Sequence, residues 1–298
     1  MSKAGNIRVR ASTVTVRRLA FAIIVITLLL FTRGQNTSQA LPSASNQAFS
    51  NATVTLVKSL YETGHTRQIV DWVLSVQHLS KSICILVDDG KYGSWLSAEL
   101  QSSLTIELIH RIHIINVGRE FTECDTEETP LSSCKENNLY HNGYKRMCRL
   151  WYSAVWWYLR DFAFVLRFDL DNTYHRGTWP THIVKFGTVL CQEGDHPDYT
   201  IGLKEAVWGE DVSDQRQIYY PYTNVMFLNV QWVLRDKRLQ DIFNAVEASN
   251  CICINRWGDL PLWGETLSKL GVNIDIMRDW VYSHGSHNVN VVGENSTC

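Results

Sequence analysis

Two short apolar runs, each stopping at a pair of acids, set the strongest limit on how this chain folds. Ser82-Ile-Cys-Ile-Leu-Val87 ends at Asp88-Asp-Gly90, and Phe162-Ala-Phe-Val-Leu-Arg-Phe168 ends at Asp169-Leu-Asp171. Neither run alternates apolar with polar residues, so each suits a strand buried on both faces rather than one with a wet side. Helical spacing of apolar residues surrounds them, as at Ile69, Val70, Val73 and Leu74. Further helices are expected over 95–104, 139–159, 233–248 and 262–270, and further strands over 52–57, 106–117 and 224–230. The order strand, helix, strand, helix, strand predicts an α/β domain with a mainly parallel sheet and helices on both faces. With 45% hydrophobic and 19% charged residues the chain can build such a core. A net charge of -2 offers no basic field to a nucleic-acid backbone, so no nucleic-acid partner is expected.

The N-terminus reads as an address. Residues 1–18 carry Lys3, Arg8, Arg10, Arg17 and Arg18 and no acid, and are expected to form a cytosolic tail. The apolar run 19–32 falls short of the roughly 20 residues of a full span, so it is a signal-peptide core or a short signal anchor. Residues 33–50 are small and polar, as in a stem, and leave residues 51–298 as the folded domain. Glycosylation acceptor patterns at Asn36, Asn51 and Asn295 lie beyond the apolar run. So do all eight Cys, an even count that favours disulfides in an oxidising compartment over buried thiols in a reducing one. The acidic stretch between Cys124 and Cys134 has little to hold it, and a disulfide is expected there. Together these features predict a single-pass type II protein of the Golgi or endoplasmic reticulum membrane with a lumenal domain.

The acids after the second run carry the chemistry. In open α/β sheets ligands sit beyond the carboxyl ends of strands. Asp169 and Asp171 offer hard oxygen ligands there for Mg2+ or Mn2+, which in turn bridges diphosphate oxygens. A metal so placed neutralises charge on a nucleoside-diphosphate leaving group. The Asp-x-Asp pattern also decorates turns and helix caps, so its position after a strand is what gives it weight.

Four stretches together resemble the fungal Golgi α-1,2-mannosyltransferases, glycosyltransferase family 15, of which this chain would be a divergent member. They are Tyr144-Lys-Arg-Met-Cys-Arg-Leu-Trp-Tyr-Ser153, Leu166-Arg-Phe-Asp-Leu-Asp171, Thr223-Asn-Val-Met-Phe-Leu-Asn229, and Asn255-Arg-Trp-Gly-Asp-Leu-Pro261 followed by Tyr282-Ser-His284. The resemblance covers residues 140–288 and is topological before that. It implies a GT-A fold, GDP-mannose as donor, Mn2+ (or Mg2+) as cofactor, a glycan or glycoprotein acceptor, and transfer with retention. Residue by residue, it implies Asp169, Asp171 and His284 at the metal, Tyr144 near the donor, and Arg256, Trp257 and Asp259 in a cofactor- and acceptor-side loop.

Two positions depart from that family. Leu170 replaces a proline between the acids, and Met226 stands where the family carries a carboxylate proposed as nucleophile or stabiliser. A thioether serves neither role through charge, so the leaving diphosphate would have to direct front-face attack through an oxocarbenium-like state. Glu210, Asp211 and Glu265 are candidate substitutes. A non-catalytic lumenal glycan-binding protein on the same scaffold, or a transferase using another sugar nucleotide, are the alternatives. Plainer readings apply elsewhere: Trp151, Trp156 and Trp157 as helix core, His110 and His113 on opposite faces of a strand, and Asp88-Asp89-Gly90 as a nucleotide site or a turn. The chain has no Gly-x-Gly-x-x-Gly, Walker loop, Gly-x-Ser-x-Gly or His-Glu-x-x-His.

Overall fold

A computed structural model of the protein describes residues 50–57, 66–121, 142–193, 200–209, 218–255, 257–285 and 289–292. Its strands in chain order are β1 (Ser50–Val57), β2 (Ser82–Val87), β3 (Ile112–Asn116), β4 (Phe162–Phe168), β5 (Asn172–Arg176), β6 (Phe186–Thr188), β7 (Cys191–Glu193), β8 (Tyr219–Pro221), β9 (Val225–Asn229), β10 (Asp275–Ile276), β11 (Val281–His284) and β12 (Val289–Val292). Seven of them form the central sheet in the order β10-β6-β9-β4-β1-β2-β3. The pairs β1–β2, β1–β4, β2–β3 and β6–β10 are parallel, and β9 runs antiparallel between β4 and β6. A three-stranded sheet β12-β11-β5 and the pair β7–β8 complete the strands.

Both faces of the central sheet are dry. Because successive side chains point to opposite faces, Cys84 and Leu86 of β2 join one apolar cluster, while Ile83, Ile85 and Val87 join the other. The first cluster meets the helical run from Asn142 to Tyr158 and the helices Lys237–Ala248 and Asp259–Leu270, through Trp151, Phe243 and Trp263. The second meets the helices Thr66–Val76 and Gly90–Ser103 through Trp72, Val73 and Leu96.

Several elements differ from the sequence expectation, each for a local reason. The segment 106–117 opens as a short helix, Ile106–Ile109, whose Leu108 and Ile109 amides both donate to the Thr105 carbonyl, and only Ile112–Asn116 pairs as a strand. His110 therefore ends that helix instead of sharing a strand with His113. The helix within 139–159 carries a π-turn at Leu150–Ala154, the kind of irregularity that recurs at functional sites. Trp151 and Trp156 of that run are buried as expected, but Trp157 is exposed. The stretch 233–248 is two helices, because Asp236 ends Val230–Arg235 and its carboxylate caps the amides of Arg238 and Leu239. The last long helix starts at Asp259, earlier than expected, with Pro261 tolerated in its first turn.

The even cysteine count does not become four pairs. Cys84 and Cys148 are buried free thiols, whereas Cys191, Cys251 and Cys253 are disulfide-bonded. Cys124, Cys134 and the apolar run 19–32 lie outside the described residues. Among the described residues no helix is long and apolar enough to cross a membrane. Asn51 of the second acceptor pattern sits half-buried in β1, beside β4. The Thr53 of that pattern is fully buried, with its hydroxyl 2.8 Å from the Ser80 hydroxyl, so the folded domain uses this pattern structurally.

Gly264 gives the packing a sharp test. A Cβ there would overlap the Tyr220 ring, whose hydroxyl donates to Glu265 at 2.9 Å. Ala would favour the helix by about 1 kcal/mol, but overpacking costs typically about 1–3 kcal/mol. Gly264→Ala is therefore expected to be net destabilising, seen as a lower urea midpoint with unchanged slope.

Candidate active site

The site is built around a charge placed inside the core. Alternation along β4 puts Arg167 on the same face as Val165, between strands that bury both faces. Its side chain is 3% exposed. Such a cation is tolerated only when fully paired and hydrogen-bonded. Arg167 Nε and Nη2 donate to the two oxygens of Asp169 at 2.7 and 2.9 Å, a bidentate clasp, and Nη1 donates to Asp259. The guanidinium carbon lies 4.4 Å from the centroid of the Trp151 ring, so the π-turn supplies a cation–π cover.

Asp259 is buried in the first turn of its helix, where a negative charge also suits the helix dipole. Beside it lies the Cys148 thiol, which Tyr144 hydrogen-bonds from one turn earlier. Burial pushes that thiol up to about 12, with Asp259 adding to the rise. Burial likewise pushes the Asp169 carboxyl up to about 6; Arg167 pulls the other way, and Asp259 and Asp171 add to the rise.

A second cluster sits across the chain turn from the first. Asp171 is half-exposed, and its Oδ2 lies 3.5 Å from His284 Nε2, whose side chain is 11% exposed. β11 delivers His284 by pairing antiparallel with β5, which leaves the Asp169–Asp171 turn directly. The Gly285 amide donates to the Asp171 carbonyl at 3.0 Å, and a Cβ at Gly285 would sit 2.8 Å from that oxygen. Glycine there is what lets the two segments approach.

The structure thus divides the expected residues. It brings Asp169, Asp259 and Tyr144 together around Arg167 and Cys148, and Asp171 together with His284. Among the described residues no three His, Cys, Asp or Glu side chains are arranged to hold a metal ion. Arg167 engages both oxygens of Asp169, whose side chain remains partly exposed. A cation of the Mg2+ or Mn2+ type needs only one or two protein carboxylates, with waters and phosphate oxygens completing its set. Asp171 and His284 fit such a shared cation; they do not make an all-protein cage.

Trp257 is fully buried and its Nε1 donates to the Ile201 carbonyl at 2.9 Å, so it packs and does not face a ligand. Met226 is 1% exposed within the apolar cluster that contains Trp151 and Phe186, and it pairs with Arg167 across β4 and β9. Glu265 is buried, accepting from Trp208 and Tyr220, which removes it as a substitute carboxylate. Arg256, Glu210 and Asp211 lie outside the described residues. Asp89 caps the helix Gly90–Ser103 by accepting from the Lys91 and Tyr92 amides, the turn reading of Asp88-Asp89-Gly90. His113 packs edge-on against Phe162.

Sequence reasoning missed Arg167 and Cys148 as parts of this site. The available signal was Arg167 itself, a charge inside an otherwise apolar strand, which must find partners.

Two measurements probe this cluster. Replacing Arg167 with Met strands two carboxylates and is expected to cost about 3–5 kcal/mol. The Asp169 value of about 6 in the folded protein lies above its ordinary 3.8, so its stabilising contribution is present below that ordinary value and lost as pH rises through about 6. The stability difference between wild type and Asp169→Asn is expected to fall across that window in urea titrations at stepped pH.

No protein-family model matches the chain, and no curated protein matches it. Solved structures do resemble it. The mannosyltransferase Ktr4p from S. cerevisiae in complex with GDP has a TM-score of 0.55 at 13% sequence identity, covering 83% of this chain and 76% of that one. A further structure of Ktr4p from S. cerevisiae has a TM-score of 0.56 at 13% identity, covering 84% of this chain and 74% of that one. Core-mannan synthase A (CmsA/Ktr4) from Aspergillus fumigatus, in an Mn/GDP form, has a TM-score of 0.53 at 12% identity, covering 82% and 77%. At these identities the likeness is one of fold: the chain shares the architecture of these mannosyltransferases.

Proposed function

We propose that this protein is a glycosyltransferase that uses a sugar nucleotide, GDP-mannose, and a divalent cation to extend a glycan acceptor with retention. The observation that carries the reading is the approach of His284 to Asp171 at the carboxyl end of β4, 3.5 Å apart. It is supported by a fold shared with mannosyltransferases solved with GDP and with Mn/GDP.

Bound there, the cation would supply charge neutralisation for the departing diphosphate. Asp171 and His284 would hold it. Arg167 keeps the start of the turn rigid by clasping Asp169, so that Asp171 is presented from a fixed backbone. Asp259 and Trp151 keep Arg167 in place. No carboxylate occupies the Met226 position, so transfer would follow the front-face route. The acceptor hydroxyl bonds to the anomeric carbon as the carbon–phosphate oxygen bond breaks, and its proton passes to the departing diphosphate.

The engagement of Asp169 by Arg167 and the burial of Met226 favour a second reading, a glycan-binding protein without transfer. Sugar-nucleotide turnover with and without Mn2+, across several donors, separates the two. A membrane-anchored lumenal setting in the Golgi or endoplasmic reticulum is part of the proposal, and protease protection in intact vesicles tests it.

Asp171→Ala is expected to lower turnover by several orders of magnitude, and His284→Ala by less, because a carboxylate brings charge as well as a ligand. Unchanged Mn2+ binding by calorimetry in both variants would remove these residues from the site. Met226→Leu is expected to keep turnover and to cost under about 1.5 kcal/mol. Met226→Glu, which buries a carboxylate, should be clearly destabilised without gaining activity. A wild type that is inactive until Met226→Glu is introduced would instead support the second reading.

A further inference from the structure

The strand that carries His284 also carries a polar group with no assigned use. Tyr282 lies two residues earlier on β11, so its side chain shares a face with that of His284. It is fully buried, and its ring packs edge-on against Phe168 at 6.1 Å. Its hydroxyl has no hydrogen-bond partner among the described residues. His284, on the same face of the same strand, lies 3.5 Å from Asp171, and burial, the Tyr222 hydroxyl and then the two acids all raise the Tyr282 hydroxyl's pKa. On the facing strand Asn172 pairs with His284, and its Oδ1 is also buried without a partner. A buried hydroxyl left without a partner costs free energy. That cost is tolerated where another state of the protein uses the group.

We infer that Tyr282 is a positioning residue whose hydroxyl donates to the Asp171 carboxylate when Asp171 holds a divalent cation at a sugar-nucleotide diphosphate. The inference rests on the function proposed above. A hydrogen bond from outside the ligand set orients a metal-binding carboxylate, and losing one typically weakens metal affinity about 10–100-fold. Phe168 and the β5–β11 pairing hold the ring where it stands, so the bond forms when the half-exposed Asp171 side chain turns toward it on binding the cation.

Tyr282→Phe separates this role from a packing role, because the two predict opposite signs. For stability alone, removing an unsatisfied hydroxyl is neutral or favourable, so the melting temperature should stay level or rise. For function, the Mn2+ concentration that half-saturates GDP binding should rise by about tenfold. Both are measured on the full chain, by thermal unfolding without ligand and by calorimetry with GDP over a Mn2+ series. A wild type that binds GDP with Mn2+, beside a Tyr282→Phe variant that binds identically, overturns the positioning role and leaves the proposed function standing. A lowered melting temperature without a change in Mn2+ dependence also overturns it. A wild type that binds no GDP at any Mn2+ concentration overturns the proposed function, and this role with it.

Discussion

The interior around the candidate site is organised by a buried cation, Arg167. Arg167 sits on a central strand with both faces covered, and it persists there because Asp169, Asp259 and the Trp151 ring enclose it. Each partner comes from a different part of the chain. Asp169 ends β4, Asp259 opens the last long helix, and Trp151 stands on the π-turn. Breaking any one contact leaves charge in a low-dielectric core, where a missing partner costs several kcal/mol. The ion cluster therefore ties sheet, helix and turn into one arrangement.

That arrangement has a consequence at the surface. With Asp169 clasped by Arg167, the next acid, Asp171, is the more exposed of the two. A bidentate guanidinium fixes the backbone at the first residue of the turn, and β11 fixes it again through the Gly285 amide. Asp171 is thus held from both sides while its carboxylate remains half-exposed beside His284. Rigid presentation of a ligand by residues that do not themselves bind is what gives a cation site its geometry. The two acids of the pattern are placed differently, one clasped by Arg167 and one half-exposed beside His284.

The same division runs through the residues that resemblance grouped together. Asp259 and Trp257 lie two apart, yet Asp259 partners Arg167 while Trp257 is packed against the Ile201 carbonyl. Met226 lies beside Arg167 on the neighbouring strand, where an apolar, adaptable side chain suits a crowded site better than a further buried carboxylate would. Two polar groups buried without partners, at Tyr282 and Asn172, lie on the paired strands β11 and β5.

Much of this was legible in the sequence. The runs at 82–87 and 162–168, without alternation, were enough to call strands buried on both faces, and acids at their ends were enough to mark the candidate site. Local periodicity encodes those features, since alternation and helical spacing act over a few residues. Tertiary structure alone decided which acid faces inward. The pattern Asp169-Leu170-Asp171 is nearly symmetric as sequence, and only the arrival of Arg167, Asp259 and Trp151 in one place makes its first member the clasped one. Likewise the approach of His284 depends on β11 pairing with β5 across more than a hundred residues of chain. Long-range pairing of buried charges leaves no periodic trace, because its free energy comes from partners that only the folded chain brings together.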